Sequence, residues 1–170
     1  MHRPVFDYLV RLRAYPAIRR TQEGLAIGGC SALVIFTLAS IGQHAHLLLV
    51  MASFGASCVL VLTLPQSPLA QPRNVIGGHL LSAASGLVAL WLFGQTPLSM
   101  AAGVGLAILA MAITGTLHPP GAGNPVLVIG GGHGPWYLVT PVAAGAIVIV
   151  VFALLYHRLI SGHVYPVRKV

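Results

Sequence analysis

The stretch Gly115-Thr-Leu-His-Pro-Pro-Gly-Ala-Gly-Asn-Pro-Val-Leu-Val-Ile-Gly-Gly-Gly132 lies between two long apolar segments and decides how the chain folds. Proline lacks the amide hydrogen that an α-helix uses and pushes the preceding residue out of the α region, so a helix must break at His118-Pro119-Pro120. Irregular backbone at membrane depth is tolerated only where protein or water satisfies its polar groups. The stretch is therefore a candidate permeation site, and the alternative is an ordinary surface loop between helices.

The composition is that of a polytopic membrane protein. Only 6% of the 170 residues are charged and 56% are hydrophobic, whereas soluble domains carry about 25% charged residues. No aspartate or glutamate follows Glu23, and Arg73 is the only Lys, Arg, Asp or Glu between Glu23 and Arg158. This length and composition predict one small membrane domain, residues 23–157, and leave no room for a soluble enzyme domain.

The basic residues gather in two tails, an N-terminal segment 1–22 and a C-terminal tail 158–170. Cytoplasmic segments of membrane proteins carry an excess of Lys and Arg. This pattern accounts for the net charge of +7 without a nucleic acid partner. We expect an integral protein of a bacterial inner (plasma) membrane with both termini in the cytoplasm, and hence an even number of crossings of the lipid bilayer.

Five apolar segments are candidates to cross a bilayer core, for which about 20 residues are needed. They are Gly24–Ile41, His46–Leu64, Val75–Phe93, Pro97–Thr114 and Trp136–Tyr156. Five crossings would place the termini on opposite sides of the membrane, which disagrees with the charge of the tails.

An internal similarity offers an all-α fold that resolves this disagreement. Phe54-Gly-Ala-Ser-Cys-Val-Leu-Val-Leu62 resembles Pro120-Gly-Ala-Gly-Asn-Pro-Val-Leu-Val-Ile129, which predicts two repeats, 24–93 and 97–157. Each repeat would be a helix, a broken segment and a helix, an arrangement that points to a transport site. There are four crossings if both broken segments are re-entrant from the outer face, and five if only the second is.

The candidate substrate or pore residues lie in the two broken segments, in the proline-rich link 65–74 and at the start of the helix that follows this link. Arg73 either offers its guanidinium to a planar oxyanion or reaches lipid headgroups. His118 either hydrogen-bonds an anion or shuttles a proton, or it caps a broken helix end, and His79 has the same interpretations. The full set is Arg73, Asn74, His79, His118, Pro119, Pro120, Gly121, Gly123, Asn124, Ser53, Gly55 and Ser57.

The absence of carboxylates limits the function. Cation channels and most proton- or sodium-coupled carriers place Asp or Glu along the path, so a charge-selective route here should favour anions or neutral solutes. The histidines show no metal-ligand spacing, and no serine has a plausible His–carboxylate pair. We therefore expect no metal, no cofactor, no catalytic residues and no enzyme activity.

His118-Pro119-Pro120, together with Ser67-Pro-Leu-Ala-Gln-Pro-Arg-Asn-Val-Ile-Gly-Gly-His79, resembles the HPP family of integral membrane proteins. The resemblance extends from about Gly24 to Tyr156. It implies about four membrane helices and, from members in plastids and cyanobacteria, transport of nitrite.

These observations lead to the hypothesis of a channel or transporter for small inorganic anions, with nitrite or nitrate first. Arg73 and Asn74 would gather the anion, and the two broken segments would line the narrow part of the path. Four helices enclose little volume, so we expect a homo-oligomer. The alternative is a membrane scaffold or sensor subunit that transports nothing.

Overall fold

A computed structural model of the chain describes residues 17–167, with side chains from residue 21 onward. Within that range the chain is helical and contains no strand. The six α-helices are α1 (Ala17–Ala45), α2 (Ala52–Thr63), α3 (Pro72–Phe93), α4 (Pro97–Thr114), α5 (Asn124–Gly130) and α6 (Ala144–Tyr156). The polar N-terminal segment predicted for residues 1–22 lies mostly outside the described residues, but helix α1 begins at Ala17, earlier than the predicted start at Gly24.

Four helical stretches are long and apolar enough to cross a membrane, which confirms the predicted polytopic all-α fold. They are Thr21–Ala45, Pro72–Phe93, Pro97–Thr114 and Pro135–Ser161, the last containing α6. Helix α2 has 12 residues and is therefore about 18 Å long, too short to cross a hydrocarbon core of roughly 30 Å as a helix. Helix α5 is shorter still.

Hydrogen bonds between distant parts of the chain define two ends of the bundle. At the tail end, the Tyr165 hydroxyl donates to the Ala70 carbonyl (2.8 Å) and Arg73 donates to the Thr114 carbonyl (2.8 Å). At the turn end, the Thr140 hydroxyl donates to the Leu48 carbonyl (2.7 Å) and the Gln95 amide donates to the Ile129 carbonyl (2.8 Å). The tail end thus holds the loop 64–71 and the segment 162–167, and the turn end holds the loops 46–51, 94–96 and 131–134.

Two broken segments run from one end of the bundle to the other. The first broken segment is residues 47–63 and contains α2, and the second is residues 115–130 and contains α5. The first starts at Leu48 at the turn end and reaches Val61, whose carbonyl lies 2.9 Å from His157 Nε2 at the tail end. The second starts at Leu117, which accepts from Asn74 at the tail end (3.0 Å), and reaches Ile129 at the turn end. A re-entrant segment returns to the face it entered, so the expected re-entrant path is corrected to a traversing one.

Six traverses place the start of α1 and the segment after α6 at the same end. Each half of the chain contains a long helix, a short broken segment and a long helix, as the predicted repeats required. The first half begins at the tail end and finishes at the turn end, and the second half runs the opposite way. The halves are therefore inverted with respect to each other, a common arrangement in secondary transporters.

The first broken segment is interrupted on either side of α2, and not at Gly55 inside it. The segment Phe54–Leu62 was predicted to be interrupted around Gly55, but α2 is a continuous helix that includes it. Residues 47–51 before α2 have no regular secondary structure, with Met51 extended, and after α2 residues 64–71 form a loop with a short 3-10 turn. The interruption is held by tertiary contacts such as the Thr140–Leu48 hydrogen bond, which local sequence does not reveal.

The second break begins where the prolines predict it. Helix α4 ends at Thr114, with Gly115 in the left-handed conformation, and His118 is extended (φ −139°, ψ 95°). A 3-10 helix over Pro119–Gly123 then leads directly into α5.

Two glycines let the second broken segment lie directly against α3. A Cβ at Gly78 would stand 2.6 Å from the Cβ of His118, and one at Gly86 would stand 2.7 Å from the Cα of Pro125. Real Cβ atoms do not approach other atoms that closely, so a larger residue at either position would push the segment away. The glycines of α3 therefore set the position of the polar residues on the broken segment.

Candidate functional site

A cluster of five polar side chains is buried where the two broken segments meet α3. The polar cluster consists of Ser53 and Ser57 from α2, His79 from α3, and His118 and Asn124 from the second broken segment. Four of these residues have no solvent-accessible surface, and Ser53 is 9% exposed. All five were predicted from the sequence as candidate pore residues, and the fold brings them together from three separate elements.

Ser57 is the centre of the cluster. Its Oγ lies 2.8 Å from His79 Nε2 and 2.9 Å from His118 Nε2, so one hydroxyl connects the two imidazoles. The same hydroxyl also donates to the Ser53 carbonyl one helical turn earlier (3.1 Å), so its single hydrogen is shared between that carbonyl and any other acceptor. The two rings are 4.9 Å apart between centroids.

Asn124 joins the second broken segment to both α2 and α3. Its Oδ1 accepts from the Ser53 hydroxyl (2.9 Å), while its Nδ2 lies 3.1 Å from the His79 carbonyl and 3.0 Å from His79 Nδ1. A carbonyl oxygen only accepts, so the contact with the His79 carbonyl fixes which end of the amide is nitrogen. The second amide hydrogen of Asn124 is then directed at His79 Nδ1, which must be unprotonated.

These constraints give the two imidazoles opposite tautomers. Because His79 Nδ1 accepts, His79 carries its hydrogen on Nε2 and donates it to Ser57 Oγ. His118 Nδ1 lies 2.9 Å from the Leu69 carbonyl, so it must donate, and His118 Nε2 is left as the acceptor for the Ser57 hydroxyl. With both rings neutral, Asn124 donates to His79 and His79 to Ser57. The one Ser57 hydrogen is shared between His118 Nε2 and the Ser53 carbonyl, and His118 donates to Leu69.

Three further residues support the cluster and were not predicted. The Phe54 ring packs edge-on against His79, with centroids 5.3 Å apart. Ser82, one turn after His79 on α3, donates to the Gly121 carbonyl (2.6 Å), and Leu69 supplies the carbonyl for His118. Ser82 could have been found from the sequence, since residues three apart share a helix face; Leu69 acts through its backbone and leaves no such signal.

Arg73 and Asn74 lie at the tail end, six and five residues before His79. The exposed Arg73 guanidinium donates to the Thr114 carbonyl, and Asn74 donates to the Leu117 carbonyl (3.0 Å). A cation at the carboxyl end of α4 interacts favourably with the helix dipole. Both side chains thus secure the loop that follows α4, and neither shares a hydrogen bond with the polar cluster.

The other predicted residues shape the backbone and do not face the cluster with a polar side chain. Pro119 and Pro120 begin the 3-10 turn. Gly121 packs on α3, where a Cβ would lie 3.3 Å from backbone atoms of Gly78 and His79. Gly55 and Gly123 are exposed, and a Cβ at either position would meet no atom within 4 Å.

The cluster has hydrogen-bond donors and acceptors but no permanent charge. None of its five residues is a carboxylate, a lysine or an arginine. Along the described part of the chain, no three His, Cys, Asp or Glu residues come together as a metal site. The chemistry available is therefore exchange of hydrogen bonds with a small polar solute and uptake of a proton by an imidazole.

The tail end closes over the loop that holds His118. Tyr165 is buried and donates to the Ala70 carbonyl, next to Leu69. Burial raises the pKa of the Tyr165 phenol, so this donor stays protonated at physiological pH. Gln66 also donates to the Val164 carbonyl (3.1 Å), which ties the segment after α6 to the same loop.

At the turn end an open pocket of about 460 Å³ lies between the first broken segment and the start of the last span. Its lining includes His46, His133, Trp136, Tyr137 and Thr140. The rings of His133 and Tyr137 are stacked with centroids 4.3 Å apart. The pocket is a wide, partly polar approach to the bundle from the end opposite Arg73.

Replacing Ser57 by alanine should destabilise the protein by about 1–3 kcal/mol, because it leaves buried imidazole nitrogens without a partner. Ser85→Ala is the matched control, since the buried Ser85 hydroxyl bonds only to the Leu81 carbonyl of its own helix (2.8 Å). Unfolding of the detergent-solubilised variants measures the difference. Equal stability of the two variants would contradict the bridging role of Ser57.

Comparison with known proteins agrees with the resemblance seen in the sequence. The profile of the HPP transmembrane region matches residues 17–166. Two proteins of Dictyostelium discoideum described as transmembrane proteins are 35% identical over 125 residues and 33% identical over 130 residues. The alignments cover 69% and 72% of this chain but only 40% and 46% of those proteins, so the chain spans less than half of their length.

No solved structure matches the chain. The family profile nevertheless covers all six helices and both broken segments. The protein therefore belongs to the HPP family of integral membrane proteins.

Proposed function

We propose that the protein is a membrane channel or transporter for small inorganic anions, with nitrite or nitrate as the first candidates. The observation that carries this proposal is the buried polar cluster, which is rich in N–H and O–H donors and free of carboxylates. It lies where two broken segments meet, the usual place of substrate sites in transporters built from inverted repeats. Nitrite transport by plastid and cyanobacterial members that the sequence resembles supports the choice of anion.

The donor groups of the cluster suit a small oxyanion. Ser53, Ser57, His79 and Asn124 supply hydroxyl, imidazole and amide hydrogens that now bond within the protein. A passing anion accepts the same hydrogen bonds in exchange, whereas a metal cation would need oxygen ligands with negative charge. The absence of Asp and Glu after Glu23 removes the usual ligands for cations along the path.

Arg73 and Asn74 are proposed to gather the anion at the tail end. Arg73 is exposed and is the single Lys or Arg between Thr21 and His157. Its position at the start of α3 adds the positive end of the helix dipole to its own charge. His79 follows on the same helix, roughly 9 Å further along the axis.

A second candidate function is a membrane scaffold or sensor subunit that transports nothing. The dense packing of the cluster favours it, since each buried polar side-chain atom in the described residues has a hydrogen-bond partner. In that case the His-Pro-Pro stretch would serve as a structural joint between the halves. Measured anion flux separates the two functions.

We do not propose an enzyme. Ser57 contacts two imidazoles, but His79 donates to it and so has the wrong tautomer to act as its base. His118 accepts from it, but its Nδ1 bonds the Leu69 backbone carbonyl, where a catalytic histidine bonds a carboxylate. The hydroxyl is also fully buried inside the bundle. We further propose a homo-oligomer, because four long helices enclose little volume and closed symmetry is the usual form of oligomers.

Purified protein in liposomes should pass nitrite or nitrate but not sodium. Arg73→Ala should lower the initial anion flux by roughly tenfold at low salt, because it removes a charge that attracts the anion, and high salt should reduce this difference. Arg158→Ala is the charge-matched control, since Arg158 is also exposed at the tail end. Absence of anion flux from well-folded protein would favour the scaffold.

The tail end is proposed to face the cytoplasm of a bacterial inner membrane, since the basic residues outside the spans belong to the tails. In a chain with Cys30 and Cys58 replaced by alanine, Trp136→Cys should react with an impermeant thiol reagent in intact cells, and Val164→Cys should not. Both positions are exposed, at 67% and 69%. Permeabilised cells provide the control, and external labelling at Val164→Cys would reverse the proposed orientation.

A further inference from the structure

We propose that each monovalent anion passes the polar cluster together with one proton, which is held by the His79–Ser57–His118 bridge, so that transport is electroneutral. This inference rests on the proposed function and adds the coupling ion to it. It follows from three observations on the described residues: the neutrality of the buried cluster, the absence of any other group there that can become positive, and the hydroxyl that joins two imidazoles of opposite tautomer.

The first step concerns the cost of moving a bare anion into the cluster. Burying an uncompensated charge in an environment of low dielectric costs many kcal/mol, and buried charges are consequently paired in proteins. Four of the five cluster residues are fully buried, and all five are neutral in the hydrogen-bond arrangement that the carbonyls of Leu69 and His79 impose. The anion therefore needs a positive partner that arrives when it does.

The second step concerns which groups can supply that charge. Helix α2 and the loop 64–71 bring the Cys58 thiol as their titratable group, and α3 brings His79 and, at its exposed start, Arg73. The second broken segment brings His118, and α4 faces it with Met111 near Gly78. A thiol can only become negative, and Arg73 is exposed and bonded to Thr114. The segment after α6 brings His157, which bonds the Val61 carbonyl and Ser161 and has no hydrogen bond to the cluster. His79 and His118 therefore remain as the groups of the cluster that can become cationic.

The third step concerns the number of protons. The imidazole centroids are 4.9 Å apart, and a single hydroxyl separates their Nε2 atoms. Two imidazolium ions at this distance would repel each other strongly in a buried site, so the pair holds one added proton at a time. One positive charge balances one nitrite or nitrate ion.

The hydrogen bonds also give the proton a route across the cluster. A proton added to His79 Nδ1, after the Asn124 amide has turned away, makes that ring an imidazolium. His79 then gives its Nε2 hydrogen to Ser57 Oγ, and Ser57 gives its own hydroxyl hydrogen to His118 Nε2. His79 ends neutral with its hydrogen on Nδ1, Ser57 is again a hydroxyl, and His118 becomes the imidazolium. His118 then releases the proton from Nδ1 to solvent at the tail end when its bond to the Leu69 carbonyl opens. Each ring regains its starting tautomer by exchanging its hydrogen with solvent while the cluster is open, and the reverse sequence serves transport in the other direction.

The test measures internal pH and anion uptake together in proteoliposomes that carry a pH dye. Nitrate is the preferred probe, because its conjugate acid is too strong to cross lipid as a neutral molecule; nitrite is run beside protein-free liposomes to subtract nitrous acid diffusion. Inward anion flux should acidify the lumen with one proton per anion. The rate should not change when a potassium gradient and an ionophore impose a membrane potential.

Variants separate the proton path from anion capture. His79→Gln and His118→Gln keep hydrogen-bonding groups but cannot become cationic, so each should abolish the coupled acidification. Arg73→Ala should slow both fluxes while the ratio of protons to anions stays at one. If a variant fails to fold, the inference is still tested by two measurements on the unmodified protein. These are the number of protons per anion and the dependence of the rate on membrane potential.

The results separate a failure of the proton coupling from a failure of the proposed anion transport. Anion flux that leaves the internal pH unchanged and follows the imposed potential would overturn the coupling and leave the anion pathway standing. Coupled acidification that persists in both glutamine variants would also overturn it, since the proton would then travel elsewhere. Absence of nitrite and nitrate flux from folded protein would overturn the proposed function and this inference with it.

Discussion

One serine hydroxyl held between two imidazoles connects the three elements at the centre of this membrane protein. Ser57 comes from the first broken segment, His79 from a long helix and His118 from the second broken segment. Lipid offers no hydrogen bonds, so polar groups at this depth must find partners within the protein. The cluster satisfies that requirement, and by doing so it holds both halves of the chain in register.

The packing of the backbone follows from the same constraint. The second broken segment reaches α3 only because Gly78 and Gly86 leave space for His118 and Pro125. That approach brings Asn124 to His79 and Ser53, and it leaves the Leu69 carbonyl as the partner of His118. The proposed transport of an anion with a proton rests on this arrangement, in which donors lie on one side, an acceptor carbonyl on the other and no carboxylate between them.

The sequence predicted the parts of this architecture that depend on local chemistry. Proline and glycine forced the break at His118-Pro119-Pro120, and apolar length marked the four long helices. Ser53 and Ser57 are four residues apart and share a face of α2, whereas Gly55 between them points away, as helical periodicity requires. The break before α2 and the traversing path of both short segments depend on tertiary hydrogen bonds such as Thr140 to Leu48, so the sequence alone led to a re-entrant path.

The opposite tautomers of His79 and His118 are the central claim, and nitrogen NMR of ¹⁵N-histidine-labelled protein in lipid bilayers tests it most directly. The chemical shifts report which ring nitrogen carries hydrogen. At neutral pH we expect His79 to be neutral with its hydrogen on Nε2 and His118 to be neutral with its hydrogen on Nδ1. The same tautomer on both rings, or a permanent positive charge on either, would contradict the account.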